Sequence, residues 1–174
     1  MFFKLKSISA ESIPEALVKV ERYRLLNEPS LAESICLDIL AIAPDNQNAL
    51  IALLLARTDQ FHSGLNAKGA HEVLGRIRGE YGKAYYAGII WERLGHASLQ
   101  KDGRGGATAA YHALREAMGY YEKAEAVSPA GNDDAILRWN TCAREITQRP
   151  EIVPEPEEEA QWERNEAGSR IADV

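Results

Sequence analysis

The stretch ALVKVERYRLLNEPSLAESICLDILAIAPDNQNAL, residues 16–50, decides the fold class of this chain. It holds two segments whose apolar residues recur every three or four positions, a spacing that gives a helix one apolar face. Asn27-Glu28-Pro29-Ser30 separates the segments, and Pro44-Asp45-Asn46 ends the second. Helices joined by so short a turn must run antiparallel with their apolar faces together. Because one pair leaves apolar surface uncovered, the sequence predicts further pairs stacked beside it.

The same periodicity predicts about seven helices in the whole chain and no strand. They span residues 13–26, 30–43, 47–60, 67–79, 83–99, 107–127 and 132–148. The third is apolar nearly all round and is expected in the middle of the stack. Ser12 with Glu15 is predicted to form a capping box, and Asp45 or Asn46 to cap the third helix. Residues 101–106 are predicted to be an open, glycine-rich loop.

The charge of the chain is concentrated at its end. Residues 151–174 carry eight acidic residues and two arginines, whereas the other 150 residues carry 18 charges of each sign. A neutral body lacks the basic field that phosphate binding requires, so nucleic acid is excluded as an expected partner. The sequence therefore divides into an N-terminal segment (1–12), a helical-repeat domain (13–148) and an acidic tail (149–174) that is expected to be disordered.

The two cysteines and the hydropathy of the chain indicate the cellular compartment in which we expect the protein. Cys36 and Cys142 lie inside helical patterns without a partner at metal-ligand spacing, which favours buried thiols in a reducing compartment. Lys4 and Lys6 interrupt the first apolar residues, unlike a signal peptide. The longest apolar run, residues 49–56, is far shorter than the roughly 20 residues of a membrane-spanning helix. We expect a cytoplasmic protein without membrane insertion.

Several spacings resemble the tetratricopeptide repeat, a 34-residue helix pair. Its first helix carries a late aromatic residue, and its second carries alanine, an aromatic residue four positions on, a later alanine and then proline. Tyr23, Ala32 and Pro44 stand at these separations, with Cys36 in place of the second aromatic residue. A further match consists of Gly88, Trp91, Ala117, Tyr121, Ala124 and Pro129.

The resemblance covers roughly residues 13–147 and is uneven. In the middle pair Arg57 replaces the aromatic residue and Gly82 replaces the proline, and the separation of Trp91 from Ala117 exceeds that of the standard repeat. The resemblance implies an all-α solenoid of about three degenerate repeats and a closing helix. A generic helical bundle is the alternative.

The resemblance also implies a concave surface lined by the first helix of each pair. Counting back from the aromatic position places six residues at its centre: Leu17, Glu21, Ile51, Leu55, Tyr85 and Ile89. The rim would hold Arg24, Asp59 and Glu92, and the closing helix would add Ile136 and Asn140. Family members that clamp a terminal carboxylate carry Lys, Arg and Asn here, whereas four of these six residues are aliphatic. We predict an apolar groove for a partner helix or extended peptide. Alternatively, these residues pack against the N-terminal segment or a second copy.

Tryptophans mark a second candidate patch. Arg138, Trp139 and Asn140 in the last predicted helix form either a recognition surface or a cover for the last pair. Trp162 lies alone among the acids of the tail. It is either part of a floppy terminus or a short motif that docks onto another protein or into the groove of its own chain.

The sequence lacks the common metal-binding, phosphate-binding and nucleophile motifs. The four histidines show neither His-x3-His spacing nor a Glu-x-x-His di-metal motif, and residues 101–106 lack the Gly-x4-Gly-Lys-Ser/Thr pattern. Neither cysteine has a local nucleophile signature, although pairing with a distant histidine stays open. We expect a non-enzymatic scaffold or adaptor without cofactor or metal that binds another protein or peptide. A self-associating structural subunit and a small helical enzyme or ligand-binding bundle are the alternatives.

Overall fold

The computed structural model describes residues 3–64, 66–100 and 104–154. Within these ranges the chain forms seven α-helices and no strand, which confirms the predicted all-α class for the described part. The helices are α1 (Ile13–Leu25), α2 (Pro29–Ile42), α3 (Gln47–Thr58), α4 (Lys68–Leu74), α5 (Glu80–Leu99), α6 (Arg104–Glu125) and α7 (Asp134–Gln148). Short 3-10 turns at Ala10–Ser12 and Phe61–Ser63 precede α1 and follow α3.

Local sequence explains where two helices begin. The side chain of Asn46 accepts a hydrogen bond from the Ala49 N–H at 3.0 Å, which satisfies a free donor of α3 and confirms the predicted cap. The predicted capping box at Ser12 is wrong. Because Ser12 ends a 3-10 turn, its hydroxyl donates instead to the carbonyl of Ser9 at 2.8 Å. Asn27 adopts a φ of 58° between α1 and α2, a conformation that asparagine tolerates better than most residues.

Three predicted boundaries differ from the structure by three residues or more. Helix α4 ends at Leu74 rather than at residue 79, since the Gln47 side chain binds the Arg78 N–H at 2.8 Å and Gly79 has a left-handed φ of 79°. Helix α5 begins three residues earlier than predicted, at Glu80. The loop prediction is wrong from Arg104 onward, because α6 begins there. A helical glycine costs only about 1 kcal/mol, which packing against α5 can offset. Residues 101–103 lie outside the described part.

The helices pack mainly against their neighbours in the chain. Helix α1 contacts α2 and α3, α2 contacts α3, and α3 contacts α4, while α6 contacts α5 along most of its length and also α7. Buried apolar residues form two clusters. The first lies mainly within α1–α4 around Leu50 and Leu54, and the second within α5–α7 around Leu114 and Tyr121. Helix α5 belongs to both, because Ile90 packs in the first cluster and Ile89 in the second.

Arg57, which stands where the tetratricopeptide pattern has an aromatic residue, connects three helices. Its Nε donates to Glu33 Oε1 of α2 at 2.9 Å, and its Nη1 donates to the Gly69 carbonyl of α4 at 2.9 Å. The amide of Gln60 donates to the other oxygen of Glu33 at 2.9 Å. These charge-assisted bonds fix the helices by polar contacts where an aromatic ring would do so by packing.

Candidate functional site

A cavity of about 380 Å³ lies between α1, α3 and α5. Its wall combines the buried Val20 and several partly buried apolar side chains with a few polar ones. The residues that line it are Leu17, Val20, Glu21, Arg24, Asn48, Ile51, Ala52, Leu55 and Tyr86. Five predicted groove residues are therefore brought together: Leu17, Glu21, Arg24, Ile51 and Leu55.

Helix periodicity explains how these side chains converge. Leu17, Glu21 and Arg24 are four and three residues apart on α1, so they share one helix face. Ile51 and Leu55 are four residues apart on α3 and also share a face. Since α1 packs against α3, the two rows lie side by side and form the groove.

A second hollow of about 550 Å³ adjoins the first and shares Glu21 and Arg24 with it. Its polar part is an ion cluster. Arg24 Nε binds Asp59 Oδ2 at 2.8 Å, and Arg93 Nη2 of α5 lies 3.7 Å from Asp59 Oδ1. Arg93 Nε is buried and has no hydrogen-bond partner within the described residues. The two adjoining cavities together are called the groove. The cavity of about 380 Å³ is its apolar end, and the cavity of about 550 Å³ with the ion cluster is its charged end.

The predicted groove does not extend along α5 as far as the repeat spacing implies. Ile89 is 1% exposed and Glu92 is 2% exposed, so both lie in the core rather than on an accessible surface. The physical reason is that α6 packs along this side of α5 and covers them. Tyr85 is half-buried in an aromatic cluster, with its ring stacked on Tyr81 at 5.6 Å and tilted 5.9 Å from Tyr121.

Ile136 and Asn140, the predicted groove residues of α7, do not line the cavity between α1, α3 and α5. Ile136 and Trp139 line a separate cavity of about 270 Å³ with Glu122 and Glu125 of α6. Asn140 is half-buried on α7. Trp162, predicted for a second patch, lies outside the described residues.

Arg138, the remaining residue of the predicted second patch, points to a buried polar network. Its Nη1 donates to Glu92 Oε1 at 2.9 Å, while the hydroxyl of Tyr121 donates to Glu92 Oε2 at 2.6 Å. Burial, and then the neighbouring Glu92 carboxylate, raise the pKa of the Tyr121 phenol, so this group stays protonated and remains a donor. One carboxylate thus fixes α5 to both α6 and α7.

Sequence reasoning placed Glu92 on a rim and missed this network. A signal was present, because Glu92 is the only charged residue in the segment Ala87–Glu92, whose other members are apolar. Arg93 follows Glu92 directly, so the acid is not isolated, and the pattern shows only that Glu92 would need a specific partner if it were buried. The partner itself could not be read from the sequence, because Arg138 lies 46 positions away.

Neither free cysteine has the environment of an activated nucleophile. Burial is the main cause that raises the pKa of Cys36 and of Cys142 to about 12 each. The Glu92 carboxylate, whose Oε2 lies 4.0 Å from Cys142 Sγ, adds to the increase at that thiol. Both groups are thiols rather than thiolates at neutral pH, because the thiolate forms only as the pH approaches the raised pKa.

We expect Ellman's reagent at pH 8 to label the native protein much more slowly than the unfolded protein. Unfolding removes burial and returns the thiol pKa to about 8.5, so both thiols should then react at once. The exposed variant Thr141→Cys, one residue from Cys142 on the same helix, serves as the control and should react immediately in the native protein. If the native thiols were labelled as fast as those of the unfolded protein, the burial of Cys36 and Cys142 would be contradicted.

Comparison of the chain with protein-family models, with curated proteins and with solved structures finds no match. No three His, Cys, Asp or Glu side chains of the described residues converge as metal ligands. No helix in the described ranges combines the length and the apolar character needed to cross a bilayer.

Proposed function

We propose that this chain is a non-enzymatic protein-interaction module with a tetratricopeptide-like architecture. It holds an apolar peptide or helix of a partner protein in the groove between α1, α3 and α5. The observation that carries this proposal is the cavity of about 380 Å³, in which Leu17, Ile51 and Leu55 remain partly exposed together. Aliphatic side chains grouped in a concave surface are the usual recognition feature for an amphipathic segment.

The energetics of the groove favour an occupant. Each Å² of apolar surface removed from water contributes roughly 25 cal/mol, so covering the aliphatic wall stabilises a complex. The charged end around Arg24, Asp59 and Arg93 adds little affinity, because its main ion pair is already formed. It can fix the direction of a bound segment, since polar groups at one end discriminate between the two orientations.

A cytoplasmic location belongs to the same proposal. Cys36 and Cys142 are buried and unpaired, as expected for thiols in a reducing compartment.

Selection of short random peptides on the full-length protein tests the groove. We expect the selected peptides to be rich in Leu, Ile and Phe, and to bind Leu17→Glu about tenfold more weakly than the native chain, because a carboxylate in apolar contact costs about 1–3 kcal/mol. Affinities are measured by fluorescence anisotropy of labelled peptides. Circular dichroism checks that the variant is folded.

The matched control is Leu137→Glu, which places the same charge at a site on α7 that is 62% exposed. Leu137 lines neither part of the groove, so this variant should bind the selected peptides as the native chain does. Glu21→Lys changes an exposed groove residue without affecting the core and should alter the affinity for charged peptides. Peptides that bind Leu17→Glu and Glu21→Lys as tightly as the native chain would place the site elsewhere.

A further inference from the structure

The segment that precedes the first turn exposes apolar and basic side chains in alternation. Its sequence is Phe3-Lys4-Leu5-Lys6, and Phe3 and Leu5 are each 83% exposed. Neither lysine has a hydrogen bond or ion pair within the described residues. Two large apolar side chains beside two unpaired cations favour contact with an apolar surface that carries negative charge.

A surface of that kind lies between α6 and α7. The cavity of about 270 Å³ is lined by Ile136, the Trp139 ring and two exposed glutamates. The Trp139 indole N–H donates to Glu122 Oε1 at 2.9 Å, which fixes the ring as one wall. The Glu125 carboxylate has no hydrogen bond or ion pair within the part of the chain that the structure describes. The volume admits one large apolar side chain but not a helix.

Charge selects among the segments of the chain that could occupy this cavity. Exposed Asp133 and Asp134 at the start of α7 add negative charge to that of Glu122 and Glu125. Residues 151–174 have a net charge of −6 by formal count, which disfavours their contact with these carboxylates. In the described part of this end, Ile152 packs instead into the buried cluster of α5–α7. The segment Phe3–Lys6 carries two lysines and no acid, so it is attracted.

The N-terminal segment and the α6–α7 cavity belong to opposite ends of the series of packed helices, which favours a contact between two molecules. The N-terminal segment precedes α1, which packs on α2 and α3, whereas the cavity is formed by α6 and α7. We infer that Phe3–Lys6 of one molecule docks onto the α6–α7 cavity of a second copy. Phe3 or Leu5 fills the cavity between Ile136 and Trp139, and the lysines meet the glutamates at its edge. This surface is separate from the groove between α1, α3 and α5, so the inference stands independently of the proposed function.

Such a contact joins different surfaces of the two copies, so reciprocal docking closes a dimer and one-way docking extends the assembly. Both raise the mass with protein concentration. Salt weakens the contact, because the charges at the edge of the cavity are exposed.

The test measures the mass of the full-length protein by sedimentation and light scattering over a concentration series at low salt. We expect a mass that rises above the 19.3 kDa of one chain with concentration and falls when salt is added. Lys4→Glu with Lys6→Glu, and separately Glu125→Lys, should each shift the protein toward the monomer. Combining all three substitutions exchanges the charges and should restore part of the association.

Two further variants distinguish this contact from others. Ile136→Ser alters an exposed residue of the cavity and should weaken association about tenfold or more through lost apolar contact. Leu17→Glu in the groove should leave association unchanged. A chain that stays monomeric at every concentration would overturn the inference. It would also be overturned if Glu125→Lys had no effect, or if the charge exchange failed to restore association, since the segment would then bind another surface.

Discussion

The variant Arg138→Ala is expected to lose about 2–3 kcal/mol of unfolding free energy, more than a surface arginine normally contributes. Glu92 is 2% exposed, so removing its cationic partner leaves a buried carboxylate with the Tyr121 hydroxyl as its remaining close donor. The loss stays below that of a fully buried pair because the Arg138 side chain is itself 36% exposed. Chemical denaturation in urea measures the difference.

A double-mutant cycle separates the charge from the packing of the arginine stem. Because Glu92→Gln removes the buried charge, Arg138→Ala should cost clearly less in that background, with a coupling of about 1 kcal/mol or more. Arg144→Ala on the same helix is the control and should change stability by less than about 0.5 kcal/mol, since Arg144 is exposed. Additive losses at Glu92 and Arg138 would show that the ion pair does not stabilise the fold.

The variant Gly88→Ala is expected to destabilise the protein by about 1–3 kcal/mol, although alanine is the better helix former. A Cβ at this position of α5 would stand 2.5 Å from Cε1 and 2.7 Å from Cδ1 of the Tyr121 ring. The ring cannot move aside freely, because its hydroxyl is bound to Glu92 at 2.6 Å. The close approach of α5 and α6 therefore requires glycine here.

Gly119 of α6 is the matched control. A Cβ there would meet no atom within 4 Å, so Gly119→Ala should stabilise the chain by about 0.5–1 kcal/mol through helix propensity. The same substitution in two neighbouring helices is thus expected to act in opposite directions, which thermal melts of both variants would show. A stabilising Gly88→Ala would indicate that α5 and α6 lie farther apart than in the structure.

Local patterns made most helices predictable. The apolar residues of α3 recur without interruption, and Asn46 can accept a hydrogen bond wherever the helix packs, so both follow from neighbouring residues. The end of α4 follows only in part from neighbouring residues such as Gly79. It also depends on Gln47, which lies 31 positions from the Arg78 amide that it binds. Tertiary contacts of this kind override local propensity and cannot be read from one sequence.

The groove likewise has residues that the sequence pattern places correctly and residues whose position depends on tertiary contacts. Leu17, Ile51 and Leu55 meet because each lies on a regular helix face, and repeat spacing is sufficient to place them. Ile89 and Glu92 have equivalent positions in that spacing, yet α6 covers them. How closely α6 approaches α5 depends on Gly88 and Tyr121 together, a pairing of residues 33 positions apart that periodicity does not encode.

The position of α5 between the two buried clusters has a consequence for breathing motions of the molecule. Ile90 packs in one cluster and the adjacent Ile89 in the other. Local unfolding of either cluster therefore exposes one side of the same 20-residue helix to solvent. Amide protons in both halves should therefore exchange through partly shared opening events. A ligand that tightens the half containing α1 would slow deuterium uptake in α5, and through it would damp fluctuations near Tyr121.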